Sequence, residues 1–526
     1  MCEIISNWFE EMKLRYKFRR PEYGTLVIRT DASANIGAGH IMRCFALAQA
    51  WQLEGSPVVF LSHCESDVLR QRIADTGMEF IPIAYPHPDP RDLVTTLETL
   101  RTRSAGIIGN PTWLVLDGYH FDAVYQQAVR TTGHRLLVID DMAHLPSYSA
   151  DILLNQNLGA EKLKYNCDPD TTLLLGSRYA LLRQEFLAWH GRQRKIPDVA
   201  RKVLVTTGGG DPDNVTLKVI QALQKVGTDD LETVVAAGSS NPHVKMLQSE
   251  VQLSRIPIRL EHDVLNMPEQ MAWADLAISA GGSTCWELAF MGVPNLIIML
   301  ADNQRLVAEN LQAAGISVIL GLNQNLTSAV IGRALNQLLG SPAKRTEMTS
   351  QGQSLVDGNG CERIIMHLRG DKFWLRPVCA QDCRFIWEWA NDPITRAVSF
   401  SSEPISWEQH IQWFDTEIKD PNCIFFLAIN EYEEPIGQIR FDLQKPDAII
   451  SVSLAAPFRG KGFGSKLIYR ASQRILQKSD ISVIHAYIKP GNEGSRITFI
   501  KAGFKQVGSR TVKDHEAIHF SLTKDD

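Results

Sequence analysis

Thr25-Leu-Val-Ile-Arg-Thr30 followed by Asp31-Ala-Ser-Ala-Asn-Ile-Gly-Ala-Gly-His-Ile-Met-Arg43 is the stretch that decides how this chain is read. Leu26, Val27 and Ile28 form an apolar run that ends in polar residues, as a buried strand does. Gly37 and Gly39 then let the backbone turn sharply and come close to a ligand. His40 opens a helix with Ile41, Phe45 and Ala48 on one stripe and Arg43 one turn beyond His40 on another face. A helix N-terminus disfavours imidazolium, so His40 is expected to be neutral and able to accept a proton beside a bound anion. The same residue also suits a plain polar helix cap, and a Gly-x-Gly turn alone does not separate the two.

The pattern repeats along the chain. Val58–Leu61, Trp113–Leu116, Leu136–Ile139 and Ile152–Leu154 are short apolar runs bounded by polar, Gly or Pro residues, the mark of a parallel sheet covered on both faces. Asp117, Asp140 and Asn155 stand at their ends, where open α/β sheets bind ligands. Residues 185–201 are helical in composition, with Arg192, Arg194 and Lys195, until Pro197 interrupts them; they read as a linker. A second series follows at Val203–Val205, Thr233–Val235, Leu276–Ile278 and Leu296–Ile298. Two consecutive α/β domains with a cleft between them suggest the two-domain sugar-nucleotide fold called GT-B. After Gly370 the pattern becomes strand, helix, then a run of strands at 424–429, 438–443 and 449–454, an α+β domain of ordinary size.

At 526 residues the chain has room for roughly three domains. Its net charge of −5 leaves no basic surplus for a nucleic-acid partner. No apolar run approaches the ~18 residues of a membrane span, and residues 1–20 lack the apolar core of a secretory signal. Nine scattered cysteines without a Cys-x-x-Cys pair fit reduced thiols and a cytoplasmic protein.

Two more glycine turns lie in the second series. Thr206-Thr-Gly-Gly-Gly-Asp-Pro-Asp-Asn214 follows a strand and precedes a helix, so backbone N–H groups around Gly209 can cradle a diphosphate, with Asp213 or Asn214 as N-cap. Ser279-Ala-Gly-Gly-Ser-Thr284, containing Gly282 and Ser283, leads into a helix whose first turn carries Glu287. That glutamate is placed to accept from ribose hydroxyls, or simply to match the helix dipole. Asp302-Asn-Gln304 completes the region.

Taken in order, Arg29-Thr-Asp-Ala-Ser33, Gly37 to Arg43, Leu116-Asp-Gly-Tyr119, Ile139-Asp-Asp141, Asp151 to Asn155, Gly176 to Arg183, Gly208 to Asp211 with Asn214, Ser279 to Gly282 with Glu287, and Asp302 to Gln304 resemble one enzyme family. It is the pseudaminic-acid-pathway hydrolase of UDP-2,4-diacetamido-2,4,6-trideoxy-β-L-altropyranose, a relative of the lipid II-forming GT-B glycosyltransferases. The resemblance runs from Gly24 to about Arg369. It implies a catalytic group of His40 as base, Tyr119 at the sugar and Asn303 on the substrate. It further implies a UDP-sugar site of Gly37, Gly39, Arg43, Arg183, Gly209, Asn214, Gly282, Ser283, Glu287 and Asn303. No metal is required by this chemistry: Asp140, Asp141 and His144 could be imagined as ligands, but adjacent carboxylates point to different places.

In the last domain, Ser451-Val-Ser-Leu-Ala-Ala-Pro-Phe-Arg-Gly-Lys-Gly-Phe-Gly464 runs from a strand through a glycine loop into a helix. A dinucleotide-binding turn would need a following parallel strand and an acidic residue, and neither is evident. The loop instead resembles the acyl-CoA loop of GNAT acetyltransferases, with Ile488-Lys-Pro-Gly-Asn492, Ser495 and Gly503-Phe504 as the second signature. The resemblance implies an acetyl-CoA site of Val452, Leu454, Arg459, Gly460, Lys461, Gly462, Gly464, Asn492 and Ser495. Phe499 stands where many such enzymes carry a tyrosine acid. Tyr487 and Tyr469 are possible substitutes, and Glu403, Glu408 and His410 are candidate contacts to the amine.

The expected organisation is an N-terminal extension (1–23), a first α/β domain with the sugar site (24–184), a linker and UDP-binding α/β domain (185–370), and a GNAT domain (371–526). Three functions are compatible with it. One is a bifunctional enzyme that N-acetylates a 4-amino UDP-sugar and then hydrolyses the nucleotide. The second is a hydrolase with a regulatory acetyl-CoA domain, and the third a GT-B glycosyltransferase. The expected partners are a UDP-sugar and acetyl-CoA, with neither nucleic acid nor membrane; oligomeric state is open.

Overall fold

The computed structural model describes residues 24–33, 36–104, 111–238, 241–262, 264, 266–477 and 480–524. The expected N-terminal extension, 1–23, lies outside them. The chain divides into two compact units, one reaching to Ile364 and the other built from Ile365 on, with Leu53–Gly55 grouped with the latter.

The first unit holds two parallel sheets. Strands β1 (Leu26–Thr30), β2 (Val58–Ser62), β3 (Glu79–Pro82), β4 (Trp113–Asp117), β5 (Arg135–Ile139), β6 (Ile152–Asn155) and β7 (Thr172–Leu175) pair in the order β3-β2-β1-β4-β5-β6-β7. Every residue of β1, β2 and β4 is buried, which is why these segments read as unbroken apolar runs. Strands β8 (Lys202–Thr206), β9 (Glu232–Ala237), β10 (Ile258–His262), β11 (Leu276–Ala280), β12 (Asn295–Met299) and β13 (Ser317–Leu322) repeat the arrangement as β10-β9-β8-β11-β12-β13. In each sheet the strand order reverses between two adjacent strands, β1 and β4 or β8 and β11. That reversal opens a crevice at their carboxyl ends, where such sheets bind ligands. His40 follows β1 and Asp117 ends β4; the glycine turns at 208–210 and 281–282 follow β8 and β11. The fold therefore places the loops after β1, β4, β8 and β11 at switch points, whereas Asn303 follows β12 and Arg183 follows β7.

Two local expectations change. The Gly39–Leu53 helix is not one-sided: Ile41 and all residues from Arg43 to Trp51 are buried, so Arg43 lies inside the protein. Residues 185–201 are mostly not helical; helix covers only Gln184–Leu187. The basic residue Arg194 there is spent on main-chain carbonyls, donating to Met271 O at 2.6 Å and to Ala274 O. Burial lowers its pKa to about 10.

The second unit is built on β14 (Phe373–Pro377), β15 (Cys423–Asn430), β16 (Pro435–Gln444), β17 (Asp447–Leu454), β18 (Val483–Ile488), β19 (Lys505–Val512) and β20 (His515–Thr523). They pair as β14-β15-β16-β17-β18-β20-β19, antiparallel except for β17 with β18. A parallel strand therefore does follow the glycine loop, contrary to the sequence expectation. It pairs only over Asp447–Ile449 with Val483–His485, after which the strands part, and β17 keeps its β16 partner out to Leu454. The outer edge of β17 from Ile450 onward is thus left without a ladder partner on that side among the described residues. The core on one face combines Ile484, Ala486, Ile488, Phe499 and Phe504 with the Phe463–Leu476 helix residues Leu467, Ile468 and Ala471.

Candidate active sites

In the first unit His40 starts its helix with the ring against the end of β4. Its Nδ1 lies 2.8 Å from Asp117 Oδ1. Burial alone would raise the Asp117 pKa, but the charges of Arg43 and His40 outweigh it and hold the carboxyl well below the usual range. Arg43 Nη2 also lies 3.2 Å from Nδ1 but gives its shorter bond, 2.7 Å, to Asp117; with the accepting carboxylate as the nearer partner, Nδ1 is assigned the hydrogen and Nε2 the lone pair. Nε2 has no hydrogen-bond partner among the described residues, and the side chain keeps 12% of its surface exposed. A base oriented by a buried carboxylate and open on its other nitrogen is the arrangement that removes a proton from water or a hydroxyl.

Arg43 fixes this pair. It donates to Asp117 through Nε and Nη2, both at 2.7 Å, and through Nη1 to both Asp141 oxygens at 2.9 Å. With its donors taken by two buried carboxylates, Arg43 positions these aspartates and does not reach for phosphate. Asp141 also accepts from Tyr119 OH at 2.6 Å and Asn157 Nδ2 at 2.7 Å. Tyr119 meets the His40 ring edge-on at 5.0 Å, so the residue expected as base and the one expected at the sugar adjoin. Burial, then the Asp141 charge, pushes the Tyr119 hydroxyl far above its ordinary range, keeping it a neutral donor. Asp140 points elsewhere, to His144 Nδ1 at 2.7 Å and the hydroxyls of Tyr148 and Tyr165 at 2.9 and 3.1 Å.

The glycine turns of both sheets close on the His40 turn. A Cβ added at Gly209 would stand 3.2 Å from Ala38, and one at Gly39 3.8 Å from Ser283 Oγ. A Cβ at Gly238 would collide with the Gly209 backbone at 2.4 Å. Glycine is therefore needed at Gly238, where it packs on the Gly209 turn, and Gly209 in turn comes tightly against Ala38. Gln304 ties the 302–304 turn to this floor, its Oε1 accepting from Gly281 N at 3.2 Å and Leu300 N at 2.9 Å, while Asn303 stays exposed. Gly282 and Ser283 are half-buried at the entrance of the Thr284–Phe290 helix.

Arg183 and Glu287, expected as separate nucleotide contacts, bind one another. Arg183 donates to Glu287 Oε1 from Nη2 at 2.9 Å and from Nε at 3.2 Å, and its Nη1 meets Glu185 at 2.8 Å. Neither Asp213 nor Asn214 caps the Val215–Leu223 helix. Asp211 does, accepting from Val215 N at 2.7 Å and Thr216 N at 2.9 Å, because Asn214 adopts a left-handed φ of 50° that turns its side chain away. Asn214 is left with a buried, unpaired Oδ1.

In the second unit the β17 edge leads through Arg459–Gly462 into the Phe463–Leu476 helix. Gly460 and Gly462 hold φ of 71° and 82°, which glycine alone adopts freely. Nothing lies within 4 Å of a Cβ at either, so their backbone faces open space. A Cβ at Gly464 would meet Thr498 Cγ2 at 3.0 Å. Lys461 is exposed, whereas the Arg459 side chain turns inward, donating to Leu454 O at 3.0 Å and Asp392 Oδ2 at 2.8 Å. Arg459 thus braces the loop. Val452 and Leu454 lie on the strand edge, half-buried. Asn492 caps the Glu493–Lys501 helix by accepting from Ser495 N at 3.1 Å.

Phe499 is buried in the core, edge-on to Phe504 at 5.0 Å, with no proton to give. His410 is not an amine contact. It is 1% exposed among Trp407, Trp413 and Phe414, its Nε2 lies 3.0 Å from Cys383 O, and burial depresses its pKa. Glu403 and Glu408 are exposed, and Tyr469 packs against the core. Tyr487 remains at the parting of β17 and β18, accepting from Arg510 Nη1 at 3.1 Å. Among the described residues one trio of metal-ligating type gathers, Glu417, Cys423 and Asp442, and Arg440 supplies its cation, 3.4 Å from Glu417 and 3.1 Å from Asp442. The eight described cysteines are free thiols, and no helix of the described residues is long and apolar enough to cross a membrane.

Residues 203–359 match the glycosyltransferase family 28 C-terminal domain and residues 372–505 the GNAT acetyltransferase domain. The chain is thus a GT-B-like sugar-modifying half fused to a GNAT domain. Its similarity to an uncharacterized protein of Methanocaldococcus jannaschii is 22% identity over 91% of this chain and 96% of that one. It is 26% identical to the spore coat polysaccharide biosynthesis protein SpsG of Bacillus subtilis over 42% of this chain and 65% of that protein. To the pseudaminic acid cytidylyltransferase and UDP-2,4-diacetamido-2,4,6-trideoxy-β-L-altropyranose hydrolase of Helicobacter pylori it is 24% identical, over 40% of this chain and 38% of that protein.

Proposed function

We propose that the chain is a bifunctional, cytoplasmic nucleotide-sugar enzyme. Its first unit hydrolyses UDP-2,4-diacetamido-2,4,6-trideoxy-β-L-altropyranose to the free sugar and UDP; its second unit transfers acetyl from acetyl-CoA to the 4-amino group of the UDP-sugar precursor. The observation that carries the first half is the His40–Asp117 contact at 2.8 Å, which leaves Nε2 as an oriented base. In this reading Nε2 takes a proton from water, the water oxygen bonds to the anomeric carbon, and the bond from that carbon to the diphosphate oxygen breaks. UDP departs with the electron pair, its charge received by backbone N–H groups at 208–210 and 281–283. Tyr119 orients the sugar, Asn303 reaches the substrate from its exposed turn, and Asn214 and Glu287 hold the nucleotide. The similarity to the Helicobacter pylori hydrolase supports the choice of substrate.

The second half rests on the GNAT match, the open edge of β17 and the unobstructed glycine loop 460–462, which suit a pantetheine arm and a pyrophosphate. The test is UDP release by the purified chain and by His40→Ala. The variant should melt like the wild type and lose about 100- to 10,000-fold in kcat. Unchanged release would remove His40 from the mechanism.

A further inference from the structure

Phe499 leaves the acetyl-transfer domain without the acid that its sequence position would supply, so the groups at the parting of β17 and β18 become decisive. Along β18, Ile484, Ala486 and Ile488 point into the core, whereas Val483, His485 and Tyr487 occupy the other, half-open face. On that face His485 Nδ1 lies 3.0 Å from His519 Nε2. His485 Nε2 lies 3.4 Å from Asp447 Oδ2, across the last stretch where the two strands still pair. Tyr487 stands directly opposite His519 in the ladder, ring to ring at 4.9 Å.

The geometry points to His519 and Tyr487 as the base and acid of acetyl transfer, with His485 and Asp447 as positioning residues. This assignment rests on the acetyltransferase reading above. The tautomers follow from the carboxylate end. The Asp447 charge 3.4 Å from His485 Nε2 favours the hydrogen on that nitrogen; in that tautomer Nδ1 accepts from His519 Nε2–H, and His519 Nδ1 keeps the free lone pair. No hydrogen-bond partner of His519 Nδ1 occurs among the described residues. Arg510 donates to the Tyr487 oxygen, so the hydroxyl hydrogen is free to be given away.

The step balances. The acceptor amine nitrogen bonds to the acetyl carbonyl carbon of acetyl-CoA and gives a proton to His519 Nδ1. The carbon–sulfur bond breaks, and sulfur leaves with the pair and takes the Tyr487 hydrogen. The phenolate then regains a proton from the imidazolium through solvent, restoring both groups. A cavity of about 380 Å³ lies beside the ends of these strands, lined by Val398, Lys489, Asn492 and His515. Lys489 follows Tyr487 by two residues and His515 precedes His519 by four; Lys489 brings a cation to this cavity and the neighbouring Glu516 a carboxylate.

The groups facing His519 are His485 and Tyr487 from β18, Arg510 from β19, and Asp447 from β17 through His485. Burial first, then His485 and Arg510, lower its pKa, which favours the unprotonated base.

The test uses the full chain, acetyl-CoA and the UDP-linked 4-amino sugar. His519→Gln should lower kcat/KM by about 100-fold and erase the acid limb of the pH profile. Acetyl-CoA affinity by calorimetry should not move, and Tyr487→Phe should lower kcat alone. If His519→Gln folds poorly, Asp447→Asn carries the test, since that carboxylate is well exposed: kcat falls and the KM for acetyl-CoA holds. Wild-type rate and pH profile in these variants would overturn the assignment while leaving the acetyltransferase reading intact. A wild-type chain that binds acetyl-CoA but acetylates no amine would overturn that reading, and the assignment with it.

Discussion

His40 and Asp117, 77 residues apart, are joined through Nδ1 and Oδ1 at 2.8 Å, so the helix after β1 and the end of β4 jointly orient the imidazole proposed as the base. Asp117→Asn keeps the shape but removes the charge that fixes the tautomer. We expect kcat for UDP release to fall by about 100-fold with little change in KM. Steady-state kinetics on a variant with a wild-type melting profile check this, and an equal loss of kcat and substrate affinity would count against an orienting role.

Buried Arg183 and partly exposed Glu287 form an ion pair between the segment after β7 and the helix after β11. Arg183→Ala leaves Glu287 and Glu185 without their shared cation and should cost about 3 kcal/mol, whereas after Glu287→Ala the arginine keeps Glu185, so the cost should be smaller. Replacing both should cost less than the sum of the two. A urea-denaturation double-mutant cycle measures the coupling, and strict additivity would show the pair to be unimportant. Glu287→Ala should also weaken UDP binding, read by calorimetry.

Asp31 predicts an acid sensitivity. Burial raises its pKa, but the hydrogen bond with His120 and the contacts with Arg29 prevail and hold it at about 2. A depressed pKa means that the carboxylate stabilises the fold above the unfolded value near 3.8, and that this contribution disappears as pH falls towards 2. The amount is about 2 kcal/mol. Asp31→Asn should therefore be less stable than wild type at pH 7 and decline less steeply than wild type from pH 4 to 2, the remainder of the slope coming from other depressed carboxylates such as Asp117; parallel curves would contradict this.

Much of this was legible in the chain. The buried central strands announce themselves because burial on both faces demands unbroken apolar runs, and the glycine turns announce themselves because the backbone there meets the other half. What escaped has physical reasons. β3 and β7 are edge strands with exposed residues, and β19 is exposed along nearly its whole length, so none carries an apolar signature. Asp211 took the cap because the left-handed Asn214 could not, which local spacing does not encode. His410 looked available because a lone polar residue among Trp407, Trp413 and Phe414 gives no sign of facing inward. Arg43 was placed in the UDP-sugar site, and its buried contacts were not legible because the two aspartates lie 74 and 98 residues away in the chain.

The most direct measurement is the fate of solvent oxygen. The full chain is incubated with UDP-2,4-diacetamido-2,4,6-trideoxy-β-L-altropyranose in H2(18)O, and both products are examined by mass spectrometry. Attack by a His40-activated water on the anomeric carbon predicts one (18)O in the released sugar and none in UDP. Label in the β-phosphate of UDP, or no UDP released until an acceptor other than water is added, would contradict the account.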